Sequence, residues 1–276
     1  MKKIKLLTVL FLGLTTFVNA QIKEGKISYE QKVNMHRFIT DPEMRARIPE
    51  FRTDKFELLF NEQASLFRTV VDEEAPDPFA NNGGDRGGQR FMFRMPETAT
   101  YTDLASQTQY ETRAMFEKEF LIVDSTKTYT WKISDETKTI AKHLCKKATT
   151  MVANPQQMRI RMGGPGGPRG NNNDSTENKP AKEVSLTVWY TEDIPVSVGP
   201  NNYAGLPGAI LEVDTDNGSN VITATEFVGK YPKKELVKPT KGEKMNRAQF
   251  QDNMKKIMED FQKGGGFGGM RIRVNN

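Results

Sequence analysis

The scarce chemistry-bearing residues of this 276-residue chain are two histidines and one cysteine. His143 and Cys145 form a His-x-Cys pair, and on a strand residues two apart face the same way. Such a pair offers two ligands to a soft metal, and thioether sulfur suits Cu(I). The chain has 13 methionines, and Met92-x-x-Met95 and Met158-x-x-x-Met162 bring sulfurs close together in loop-like sequence. The competing reading is structural: Cys145 is buried as a small apolar group, and the methionines are ordinary loop and core residues. Catalysis is poorly served. His36 and His143 are the available histidine bases, and neither stands in a Gly-x-Ser-x-Gly or zinc-protease setting. No glycine run follows a strand and opens a helix with a phosphate-binding lysine. Asp72-Glu73-Glu74 reads as surface charge. We therefore expect no catalytic residues, no enzyme and no cofactor.

The most distinctive run covers residues 188–213. It reads as a strand, a rigid loop and another strand. Pro195 and Pro200 fix φ along the loop. Pro207-Gly208 fits the central positions of a type II turn, where Gly tolerates positive φ. Gly205 relieves crowding just before it, Trp189, Tyr203 and Leu206 can pin the loop to a sheet, and Tyr190 and Gly199 belong to the same run. These ten residues form either a folding corner or a lip over a ligand groove, and the corner is the favoured reading. Asp124-Ser125-Thr126 and Asp174-Ser175-Thr176 match a short O-glycosylation acceptor pattern found in some Gram-negative bacteria.

Short strands must position these residues. Apolar positions alternate at Ile27, Tyr29, Val33 and Met35, at Phe56, Leu58 and Phe60, and at Tyr129, Trp131 and Ile133. Val184, Leu186, Val188 and Tyr190 are the clearest case. Leu211 to Thr215 and Val221 to Phe227 flank Asp216-Asn217-Gly218-Ser219, a hairpin signal. We expect roughly ten strands in an antiparallel meander, because no crossover-length helix separates them. One helix is expected over about 247–263. Phe250, Met254, Ile257, Met258 and Phe261 share a face, and Asn246 and Gln249 make a capping box. Residues 75–90 and 154–181, rich in Gly, Pro and Asn, read as flexible inserts, as does the Gly-rich end of a tail over 231–276.

The formal charge of +5 is unevenly spread. Met1-Lys2-Lys3-Ile4-Lys5, an apolar run to Val18 and Val18-Asn19-Ala20 have the form of a secretory signal peptide cut after Ala20. The localisation expected is periplasmic or secreted. The remainder has 37 basic and 35 acidic residues, and from Lys230 onward there are 12 basic against 5 acidic. The body is thus slightly acidic and the tail basic. Export argues against nucleic acid as a partner, and membrane head groups or an acidic protein suit the tail better.

The central run resembles the signature of the GLPGLI family, here Gly205-Leu206-Pro207-Gly208-Ala209-Ile210 with alanine in place of a leucine. Gly25-Lys26-Ile27-Ser28-Tyr29, residues 56–67 and 120–124, Trp131-Lys132-Ile133 and Cys145-Lys146-Lys147-Ala148 also look like that family, in order. The resemblance covers most of residues 21–230. It implies an exported protein of Gram-negative bacteria with no established activity. By analogy it implies a mainly β fold, a curved half-barrel sheet similar to periplasmic lipoprotein carriers, with one C-terminal amphipathic helix. The expected function is a non-catalytic periplasmic binding or accessory protein holding an apolar ligand, a lipid or a peptide on the sheet. Two alternatives stand beside it. One is an interaction partner of outer-membrane machinery through the basic tail, adding a strand to a partner's sheet. The other is soft-metal binding.

Overall fold

In a computed structural model of the chain, residues 22–39, 41–70, 98–115, 118–153 and 182–263 are described. The cleavage site, both inserts, Met92, Met95, Met158, Met162 and the Gly-rich end lie outside these residues.

Period-two alternation builds the sheet. The strands are β1 (Gly25–Asn34), β2 (Phe51–Phe60), β3 (Ala64–Val70), β4 (Thr98–Asp103), β5 (Thr108–Met115) and β6 (Lys118–Ser125), then β7 (Lys132–Ile140), β8 (His143–Ala153), β9 (Glu183–Thr191), β10 (Ala209–Thr215), β11 (Asn220–Val228) and the short β12 (Glu243–Met245). A short helix α1 (Pro42–Arg47) links β1 to β2, and α2 (Arg247–Lys263) follows β12. Among the described residues the strands form one open sheet in the order β12-β6-β5-β4-β3-β2-β1-β11-β10-β9-β8-β7. It is two meanders, β1 to β6 and β7 to β11, joined along β1 and β11. All pairings are antiparallel except β12 with β6, which is parallel. The mainly β, antiparallel reading of the sequence holds, with twelve strands and an added parallel edge.

The sheet rolls strongly. His143 on β8 meets Phe227 on β11 edge-to-face at 5.5 Å between ring centroids. These strands are three places apart in the sheet, about 14 Å if it were flat. The sheet stays open, with β12 and β7 as its edges. Both edges are blunted. β12 covers the middle of β6, and β7 carries a bulge between Ile133 and Thr137 and a run of charged side chains. Bulges and charge on an edge discourage pairing with other chains.

The face carrying Ile27, Tyr29, Phe56, Leu58, Phe60 and Phe67 is the heart of the apolar core. Phe56 stacks on Phe67 at 5.1 Å, and the Tyr29 hydroxyl donates to the Ile210 carbonyl at 2.7 Å. Much of the covering comes from the chain's own 192–208 loop, which buries Ile194, Val196, Val198 and Leu206. The apolar part of the sheet is therefore filled by described side chains, where the sequence led us to expect a seat for an apolar ligand.

A second, smaller cluster forms under α2. Phe250 and Met254 pack on Phe120, Ile122 and Met245. The capping box is present: Gln249 N–H donates to Asn246 Oδ1 at 2.8 Å, and Asn246 N–H to Gln249 Oε1 at 2.9 Å. Glu111, buried beneath the helix, pairs with Arg113 and with Arg247 at the helix start. Arg68 joins Glu57 to Glu235 in the segment that leads to β12. The basic stretch after Lys230 is thus laid across the sheet as far as α2.

Candidate functional site

Between the two apolar clusters the same sheet face turns polar. Ser65 on β3, Thr102 on β4 and Gln109 on β5 stand directly opposite one another in register. They continue the row begun by Phe60 on β2. All three are buried, at 7, 6 and 7% exposure. Their side chains make no hydrogen bond to another described residue. Their polar atoms are not sealed off, since among the described residues Gln31 Oε1 is the side-chain polar atom that is buried without a partner. All three line a groove of about 390 Å³, where solvent or a ligand can meet them.

The opposite wall is the 192–208 loop, contributing Val196, Val198, Ser197, Asn202 and Tyr203. It is held firmly. The Trp131 indole N–H donates to the Ala204 carbonyl at 2.9 Å, and Gly205 N–H donates to Ser197 Oγ at 2.8 Å. Ala209 N–H and Ile210 N–H return to the carbonyls of Ile194 and Val198, both at 2.9 Å. Tyr129 packs on Trp131 at 5.4 Å and on Tyr203 at 5.3 Å. Tyr129 and Trp131, which the alternation assigns to a strand, lie just ahead of β7. They serve as a buttress, the Trp131 indole tied to the loop and the Tyr129 ring packed between Trp131 and Tyr203. The rim is also tied: Thr126 Oγ1 donates to Gln107 Oε1 at 2.8 Å, and Gln107 Nε2 donates to the Leu104 carbonyl at 2.6 Å.

The groove is electrically quiet. Among the described lining residues, Glu62 is the charged one, and it pairs with Lys23 at 2.8 Å. Burial pushes the Tyr203 phenol up, partly offset by a hydrogen bond with Thr215, and burial likewise raises Tyr129. Both rings stay neutral at ordinary pH. A second cavity of about 350 Å³ has charged walls already paired across it, Lys23 with Glu62 and Lys233 with Glu24.

The loop residues singled out in the sequence are only partly brought to this groove. Pro195, Gly199, Tyr203 and Gly205 line it. Leu206 points into the core, Pro200 is buried, and Pro207 is exposed. Trp189 lies under the Lys138 ammonium, 4.4 Å from its ring centre, and Tyr190 is in the core. Gly208 is required for a reason other than the expected type II turn. A Cβ there would sit 1.9 Å from the Thr191 carbonyl oxygen, and its φ is not left-handed; the left-handed glycine of the corner is Gly205, at φ +91°. Ser65, Thr102 and Gln109 escaped the sequence reading. Their signal was polar residues at inward parity on three consecutive strands, visible only once register is known.

His143 and Cys145 also lie apart from the groove. His143 Nδ1 is 3.0 Å from Asp193 Oδ2, and the fully buried Cys145 thiol donates to the His143 carbonyl at 3.5 Å. Burial pushes that thiol up to about 11. His36 Nε2 bonds the Ile48 carbonyl at 2.8 Å, near α1. Among the described residues, no group of three or more His, Cys, Asp and Glu side chains stands where it could hold a metal ion. Nor is any described helix long and apolar enough to cross a membrane.

The fold and groove define a class: an open, mostly antiparallel β-sheet protein with a neutral polar groove roofed by one loop. A family model described as a protein of unknown function (Porph_ging) matches residues 131–212, from Trp131 through the groove loop into β10. A search of curated proteins finds no match. Among solved structures the chain is similar to PNGF-II in C2 and P21 crystal forms. Each match has 15% identity and a TM-score of 0.49, and covers 84% of this chain. The chain spans about a third of the length of those structures, 32 and 33%.

Proposed function

We propose that this is an exported, non-catalytic binding protein of the GLPGLI type, periplasmic or secreted, whose ligand seat is the groove between β3 to β5 and the 192–208 loop. The observation that carries this reading is the in-register row of Ser65, Thr102 and Gln109, whose polar groups line the groove and bond to no other described side chain. A tied rim and a tied loop support it, because a preorganised site loses less on ordering when it binds. The non-catalytic part rests on where the reactive groups stand: His36, His143 and Cys145 are placed elsewhere, and the groove offers hydroxyls, amides and a neutral phenol. The ligand we infer is polar, because the apolar face is occupied by Ile194, Val196, Val198 and Leu206.

Trp131 reports on the loop directly. In a Trp189→Phe background, its fluorescence should change saturably when a ligand enters. Titrating saccharides, amino acids, nucleosides and fatty acids tests the reading. Saturation by a polar class supports it. Response to fatty acids alone, or to none of the classes, overturns it. Mature protein from the native host should begin at Gln21; an intact Met1 would overturn the exported part.

A further inference from the structure

We infer that the groove takes a neutral, hydroxyl-rich ligand, a saccharide; this rests on the binding reading above and adds the ligand class. Each lining group that lacks a partner is a hydroxyl or an amide. Ser65 and Thr102 offer one donor and two lone pairs each, and Gln109 both donates and accepts. Mixed donor and acceptor capacity matches ligand hydroxyls, which do both as well. A phosphate or carboxylate would need a cation, and the charged group among the described lining residues is the carboxylate of Glu62, held by Lys23. A cationic ligand would need a free carboxylate, which the same pairing withholds.

The spacing fits as well. Directly opposed residues on adjacent strands stand about 5 Å apart, comparable with the width of one sugar ring. Three strands thus present three polar groups along a line that one or two rings can follow. Across the groove, the half-buried Tyr203 ring gives an apolar face, which suits the C–H faces of a ring whose edges carry the hydroxyls. A volume near 390 Å³ lies in the lower part of the usual range for small-ligand sites, about 300–1,000 Å³. A peptide is less well served. Extended peptides bind through main-chain bonds at a sheet edge, whereas this groove lies on a sheet face and both edges are blunted.

Calorimetry on the mature full chain tests the inference, with neutral oligosaccharides, acidic oligosaccharides and short neutral peptides as separate arms. Neutral saccharides should bind, with affinity unchanged between low and high salt, because no ion pair is screened. The double variant Thr102→Val with Gln109→Met keeps side-chain volume close while removing the bonding groups. It should bind at least tenfold more weakly, with a thermal midpoint equal to or above that of the parent. Lys238→Ala, outside the groove, should bind as the parent does. Neutral saccharide binding that is equal in parent and double variant overturns the inference. If only acidic saccharides or peptides bind, and the double variant loses them, the saccharide inference falls while the groove remains a binding site. If no arm responds to the double variant, both readings fall.

Discussion

Gly208 and Gly205 sit three residues apart in one corner, and they are glycine for different reasons. At Gly208 the obstacle is an atom: a methyl group would overlap the Thr191 carbonyl oxygen. At Gly205 the obstacle is the dihedral, and the space around it is open apart from the Trp131 indole at 3.5 Å. A left-handed non-glycine residue costs roughly 1–2 kcal/mol. A backbone clash inside a strand pair forces β9 and β10 apart and costs more. Gly208→Ala should therefore destabilise by more than about 3 kcal/mol, and Gly205→Ala by about 1–2 kcal/mol, as measured by urea unfolding. Equal costs, or the reverse order, would reject this assignment. The Pro-Gly pair showed that the corner needs glycine, but sequence could not tell a turn angle from a close approach. That distinction depends on where Thr191 ends up, which register decides.

At the scale of elements, the β7–β8 hairpin stands out for its turn. Its two linking residues, Ala141 and Lys142, have φ of +46° and +70°. Two-residue hairpin turns favour positive φ, which is why Asn-Gly dominates them. Ala-Lys has neither feature, so no turn was legible there. The chain accepts the cost because Ile140 and Cys145 are buried on either side. The double variant Ala141→Asn with Lys142→Gly, which installs the favoured pair, should relieve roughly 1–2 kcal/mol of strain and raise the thermal midpoint. An unchanged or lower midpoint in scanning calorimetry would count against it. By contrast, the hairpin at Asp216-Asn217-Gly218-Ser219 was legible. All three of its left-handed positions carry Asp, Asn or Gly, and Arg37 donates to the carbonyls of Asp216 and Asn217 at 2.6 and 2.8 Å. Helix α2 was legible too, since its apolar spacing and capping box are local. The parallel pairing of β12 was not, because three residues carry no pattern.

For the whole molecule, α2 is attached to the sheet by packing and by Glu111. Burial pushes the Glu111 carboxyl up, but the guanidinium groups of Arg113 and Arg247 outweigh that and hold it below its usual 4.5. Its stabilisation is complete above about pH 4.5, the unfolded value, and fades as pH falls through the lower folded value. Glu111→Gln should cost about 2–3 kcal/mol near neutral pH. That is below the 3–5 typical of a broken buried pair, because both arginines are about one-third exposed, at 34 and 35%. The gap between parent and variant should narrow on acidification below pH 4.5. A gap that is constant with pH, followed by the far-ultraviolet signal in urea, would show that the pair contributes no proton-linked stability. At this scale the sheet class and the helix could be read from residue order. The groove could not, since it exists only where two clusters on one face leave polar rows between them.

The seam between the meanders has a kinetic consequence. β1, made early, lies between β2 and β11, so Ile27 must meet both Leu58 and Phe227. The second meeting closes a loop of almost the entire described chain. Contacts so distant in sequence fold slowly. Until residue 228 is available, β1 keeps one open edge, and the Ile27 and Tyr29 face lacks the roof that the 192–208 loop provides. The growing chain therefore passes through a long interval as a half-sheet with a sticky margin, the state in which it most needs a chaperone.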